Sequence, residues 1–235
     1  MSLAFSACQP KPSIQNRWER GDNLLENASF ENGRAPWVSL TDSSPFWRDF
    51  DLSDTVAHSG RHSARLPLDS LRQNQSGTWV WGVARDIETD HLPRTVSGFF
   101  HVHGWQQGTP NQYLQAIVLL MPTEEGFPQV FDDPIVPLQL SWVLGGINRE
   151  PFYIQNRKFI FAGDLEVPQD RWVGFEFDLH RDFKEQWGFV PEKFAKIRII
   201  FEARYDGWQL GQGEVSGDVF YDDLYLGDAP FGDGQ

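Results

Sequence analysis

Segment after segment of this chain alternates apolar and polar side chains at period two, and that pattern leaves few architectures open. From Arg171 to Leu179, Val173, Phe175, Phe177 and Leu179 share one face, with Trp172, Glu176 and Asp178 on the other. From Lys196 to Tyr205, Ile197, Ile199, Phe201 and Ala203 oppose Lys196, Arg198, Glu202 and Arg204. Successive side chains of a strand point to opposite faces, so each run reads as a half-buried strand. Thr95 to Trp105 divides the same way, with Val96, Phe100 and Val102 against Phe99, His101, His103 and Trp105. In Thr78 to Ile87, Val80 and Ala84 are assigned to the core, and Trp79, Trp81, Val83 and Arg85 to the opposite face. Tyr113 to Met121 is apolar on both faces, as in a central strand covered on both sides. Leu24 to Phe30, Ser63 to Leu68 and Lys158 to Val167 read as further strands. Helical period surfaces only weakly, between Arg181 and Ala195, where Pro191 limits any helix. Many strands, short turns and almost no helix predict an all-β antiparallel sandwich, and 235 residues suit one such domain.

The last strand, Gly217 to Gly227, departs from simple alternation. Phe220, Leu224 and Leu226 fall on one face at period two, and Asp222 falls among them. A carboxylate aimed at an apolar face has to be paired, hydrogen-bonded or bound to a cation, because a lone buried charge is too costly. The upstream segment Asn23 to Gly33 is the expected partner, so the two ends of the chain meet.

Three landmarks carry a family resemblance. They are Asn23-Leu24-Leu25 with Asn27, Phe30, Glu31 and Gly33; then Val56 to Leu66, containing Ser59-Gly60; then Phe220-Tyr221-Asp222-Asp223-Leu224-Tyr225-Leu226. In this order, spanning residues 23 to 227, they make the chain resemble the galactose-binding-like jelly rolls. Within that group it is most similar to carbohydrate-binding modules of secreted polysaccharide-degrading enzymes. The stretch from Gly126 to Gln169 is longer than that pattern usually allows, and its 126–156 part reads as an excursion over one rim of the sheets. The resemblance implies a structural calcium held by Glu31, Asp222 and main-chain oxygens near Ser59 and Gly60, consistent with calcium's preference for mixed carboxylate and carbonyl ligands. The alternative is that Glu31 and Asp222 are satisfied by backbone N–H groups or by Arg61 and Arg65. The resemblance also implies a glycan site on a sheet face.

Composition narrows the ligand class. Lys plus Arg is 20 and Asp plus Glu is 33, for a net charge of −13, which disfavours a phosphate backbone as partner. Ten Trp and 19 Phe exceed what a core requires, and exposed rings stack on sugar C–H faces. The candidate ligand-binding residues are therefore the outward rings and charges Phe99, His101, His103, Trp105, Trp172, Glu176, Arg198 and Arg204. An aromatic platform with convergent donors and acceptors is what a polysaccharide or oligosaccharide cleft needs. His101 and His103, two apart on a strand, could chelate a transition metal with Glu176 or Asp178, but read better as part of that polar stripe. Glu176 with Asp178 or Glu202 could form a glycosidase carboxylate pair, and outward Arg and His suit a polysaccharide lyase. No nucleophile elbow, phosphate loop or metalloprotease motif appears, so no catalytic residue is assigned.

Residues 1–20 read as leader remnant and linker, 21–229 as the jelly-roll domain and 230–235 as a tail. Leu3-Ala4-Phe5-Ser6-Ala7-Cys8 resembles the end of a bacterial lipoprotein signal, with Gln9 to Ser13 as tether, and no apolar run reaches membrane-span length. The expectation is an exported, periplasmic or cell-surface module, lipid-anchored at Cys8, that binds carbohydrate without altering it. The alternatives are a glycoside hydrolase or lyase using the same face, and a structural surface lipoprotein without a sugar ligand.

Overall fold

The computed structural model describes residues 14–231 except 74, 132–134 and 148–151. A 3₁₀ helix (Ile14–Glu19) precedes β1 (Trp47–Arg48), β2 (Asp51–Ser53), β3 (Ser63–Asp69), β4 (Gly77–Ile87), β5 (Thr95–Gln106) and β6 (Gln112–Met121). Then come β7 (Leu138–Gly145), β8 (Phe152–Ile154), β9 (Arg157–Phe161), β10 (Trp172–Asp178), α1 (Leu179–Trp187), β11 (Lys196–Trp208) and β12 (Ser216–Gly227). The strands form two sheets, β1-β4-β11-β6-β7-β9-β8 and β10-β5-β12-β3-β2. Pairing is antiparallel except for β1 with β4 and β7 with β9. This is the all-β sandwich that the alternation predicts.

The core lies between the sheets. Val96, Phe100 and Val102 of β5, Phe175 and Phe177 of β10, and Ile197, Ile199, Phe201 and Ala203 of β11 join one buried cluster. These are the faces assigned inward from period alone. On β4 the assignment inverts: Trp79, Trp81 and Val83 belong to that cluster, whereas Ala84 packs outward with Leu40, Ile117 and Ile200. Both faces of β4 are apolar and both are covered, so alternation carries no sign there.

Leu24 to Phe30 is not a strand; it is a series of turns, tied to β12 by Leu24 N–H on Leu226 C=O at 2.8 Å. The supposed excursion 126–156 supplies β7, all of it buried, which extends the larger sheet beside β6. α1 follows β10 directly and adds Leu179 and Phe183 to the same core. Asp178 caps α1 by accepting the Arg181 N–H at 3.0 Å, and Gly188 ends it in the left-handed conformation. Beneath it, Trp142 of β7 stacks on Phe177 and donates Nε1–H to the Asp182 carboxylate at 2.8 Å.

Two bulges decide what the sheet faces carry. Asp223 sits at φ +50°, and the β12–β5 register shifts between Asp222 and Tyr225. Val219 and Tyr221 therefore point inward before the bulge, and Leu224 and Leu226 point inward after it. Asp222 consequently lies outward with Phe220, not among the leucines. The second shift, between Ser216 and Asp218, gives β5 an extra residue at Gly104 (φ +63°). It turns Trp105 inward, where the ring packs against the rim of the core.

Candidate functional site

The eight expected ligand residues divide between opposite sides of the molecule. Phe99, His101, His103, Trp172 and Glu176 lie outward on the five-stranded sheet; Arg198 and Arg204 lie outward on the seven-stranded sheet. Trp105 is on neither outward face. One ligand cannot touch both groups through a packed core.

On the five-stranded face, Trp172 stands opposite His101 and His101 opposite Phe220, with ring centroids 5.4 and 5.6 Å apart. Burial pushes the His101 imidazole toward its neutral form. His103 is exposed, and Asp170, 2.6 Å from its Nδ1, raises its pKa. The other end of this face is covered. His58 stacks on Phe99 at 3.7 Å, Trp18 meets Phe99 edge-on, and Arg17 of the 3₁₀ helix pairs with Glu176. Residues 14–19, expected as linker, thus pack onto the sandwich. The proposed third metal ligands do not approach the histidines: Asp178 caps α1, and Glu176 stands opposite Ser97.

The outward face of the seven-stranded sheet carries a buried polar string instead. Register aligns Gly82, Glu202, Gln115 and Val143 across β4, β11, β6 and β7. The adjoining row places Val80, Arg204 and Tyr113 together. Gln115 Nε2 donates to Glu202, whose carboxylate also receives Arg204 Nη1 at 3.4 Å. Arg204 Nε reaches Asp206 at 3.1 Å, and the Tyr113 hydroxyl donates to Asp206 at the same distance. Glu202 is 1% exposed; burial raises its pKa and Arg204 opposes that rise. Gln115 is equally buried, and its Oε1 has no hydrogen-bond partner among the described residues.

Rings wall this string on both sides. Trp47, half-buried, lies directly on Gly82, where a Cβ would be 2.6 Å from the indole. Tyr113, Val143, Ile147 and Phe159 form an apolar cluster on the other side, with Phe161 packed against it. Farther along β11, Asp86 receives Arg198 Nε at 2.6 Å and Nη2 at 3.0 Å and also pairs with Lys196. The Arg198 hydrogen bond, aided by Lys196, holds the Asp86 carboxyl down at about 2. Sequence reasoning missed Gln115 and Tyr113 because their strand reads as apolar on both faces. The polar Gln112 and Gln115 within that apolar run were the available signal. Clefts of about 430 and 470 Å³ open elsewhere at the 123–129 rim and beside Asp90 and Phe194, and others of about 340 and 470 Å³ beside β10 and α1. Of the eight expected residues only Glu176 lines any of them, so cavity size does not single out the chemistry.

The calcium set is tested by polarity. Glu31 Oε1 accepts the Arg61 and His62 N–H groups, both at 2.8 Å. Asp222 accepts N–H from His58 at 2.7 Å, Ser59 at 3.4 Å and Asp223 at 2.8 Å. Gly60 lies so close that a Cβ would sit 2.5 Å from the Glu31 carboxylate. The turn presents amide hydrogens where calcium requires oxygens. Among the described residues no three His, Cys, Asp or Glu side chains are grouped to hold a metal. Backbone N–H groups thus satisfy Glu31 Oε1 and Asp222, the alternative that the sequence left open. Excess chelator is expected to leave the melting temperature unchanged, since an ion bound only to the native state would raise it by mass action. A lowered melting temperature, with calcium found by elemental analysis, would restore the ion.

No protein-family model matches the chain. Over 159 residues, 66% of this chain, it is 26% identical to a bifunctional IPC transferase and DIPP synthase of Aquifex aeolicus. That match covers 34% of the relative, so the chain spans about a third of the length of the curated protein it matches. Solved structures similar to it include several carbohydrate-binding modules. TmCBM61 in complex with β-1,4-galactotriose is 14% identical over 88% of this chain and 99% of that one, with a TM-score of 0.43. The enzymatically active domain of tailspike protein 4 from bacteriophage CBA120 is 10% identical over 91% of this chain and 23% of that one, also at 0.43.

Proposed function

We propose that this chain binds a polysaccharide or oligosaccharide, without altering it, on the outward face of the seven-stranded sheet. The supporting observation is the buried, unpartnered Gln115 Oε1 in a polar string walled by rings. Leaving such an acceptor unmade costs about 1–3 kcal/mol, and a ligand hydroxyl donating to it offsets that cost. Trp47 supplies a half-exposed ring beside it. Binding without chemistry is favoured because each carboxylate on the string is already engaged: Glu202 by Gln115 and Arg204, Asp206 by Arg204 and Tyr113.

A second reading places the glycan on the five-stranded face, and the half-buried ring row Trp172–His101–Phe220 favours it. Affinity electrophoresis against a panel of polysaccharides separates the two. Trp47→Ala and Gln115→Ala are expected to weaken binding by at least about tenfold, with Trp172→Ala unchanged and all three folded. Loss with Trp172→Ala alone moves the site to the other face, and no retardation by any glycan rejects both.

The module is further proposed to act outside the cytoplasm, tethered through Cys8. Cys8 lies outside the described residues, and the support is the Leu3 to Ser13 pattern. Among the described residues no helix is long and apolar enough to cross a membrane. Cys8→Ser should shift a membrane-associated full chain to the soluble fraction; an unchanged distribution counts against the tether.

A further inference from the structure

The ion pairs on the proposed binding face bear on what kind of glycan it takes. Three cations line β11 there, Lys196, Arg198 and Arg204, and each already faces a carboxylate of this chain. Arg198 presents two of its donors to Asp86, and Arg204 presents two to Asp206 and a third to Glu202. The side chains of Arg198 and Arg204 are only 29% and 19% exposed, so a competing anion meets guanidinium groups that are partly desolvated and already neutralised. Displacing Asp86 or Asp206 leaves a carboxylate unpaired beside the incoming charge, which costs far more than an exposed pair returns. The net charge of −13 repels an anion at longer range as well. Arg157, on β9 opposite Gln139 and three strands from β11, lies outside this cluster.

Resting on the reading that this face binds carbohydrate, we infer that its ligand is a neutral glycan chain and that polyuronates are rejected. Hydroxyl groups suit what is left over. They donate to the remaining lone pairs of the partly exposed Asp86 and Asp206, and they accept from guanidinium hydrogens without breaking an ion pair.

The test uses the purified full chain with neutral polysaccharides (galactan, xyloglucan, glucomannan) and with polygalacturonate and alginate, each at low and high salt. The expected result is binding to at least one neutral polymer, insensitive to salt, and none to either polyuronate. Polyuronate binding that weakens with salt overturns this inference alone. Failure to bind any polymer overturns the carbohydrate reading and this inference with it. Asp86→Asn adds a gain-of-function arm: releasing Arg198 and Lys196 should raise polyuronate affinity at low salt by about tenfold or more. A folded Asp86→Asn variant without that gain also overturns the inference.

Discussion

Trp142→Ala is expected to destabilise the fold by about 3–5 kcal/mol. The indole is fully buried, stacked on Phe177 with centroids 4.9 Å apart, and bonded through Nε1–H to Asp182. Truncation opens a cavity and removes one partner of a carboxylate that is only 4% exposed. Arg181 Nε, 2.8 Å from Asp182, remains and limits the added cost. The denaturant midpoint reads the effect, with Phe161→Ala, half-buried at the β9 end of the sheet, as the milder comparison. A loss under about 1 kcal/mol would place β7 and α1 outside the cooperative core. The result matters because β7 lies in the stretch that departs most from the jelly-roll pattern, and this variant decides whether that stretch is scaffold.

Arg204→Ala is expected to cost a similar amount, about 3–5 kcal/mol, by leaving Glu202 buried beside no cation. Glu202 is almost completely buried, and its pKa is already raised, mainly by desolvation, against the pull of Arg204. Removing Arg204 raises that pKa further. The sign follows from linkage: the folded state holds a proton the unfolded chain gives up, so the variant loses stability as pH rises through and beyond the ordinary carboxylate range. Adding Glu202→Gln removes the charge and should recover most of the loss, flattening the pH dependence. Urea melts of the single and double variants across pH test both points. A cost no greater than about 1 kcal/mol, typical of exposed pairs, would mean the string is solvated. For the same reason Arg204→Ala is a poor probe of binding, and Trp47 and Gln115 serve better.

What the sequence determined by itself was local. Period-two alternation in β5, β10 and β11 named the inward residues Val96, Phe100, Phe175, Ile199 and Phe201 correctly, because pleat and hydrophobic burial act within one strand. Where one extra residue enters, the period loses its sign, so Trp105 and Asp222 were placed on the wrong side of bulges at Gly104 and Asp223. On β4 both faces are apolar and nothing local distinguishes them. Which strands share a sheet was decided only by tertiary structure. β10 pairs with β5, and β11 pairs with β4 and β6. Trp172 therefore joins His101 on one side of the molecule, while Arg198 and Arg204 join Gln115 on the other. Outwardness is a property of a strand and can be read from its residues. Adjacency of two outward residues depends on hydrogen-bond pairing between segments distant in the chain, which no local period records.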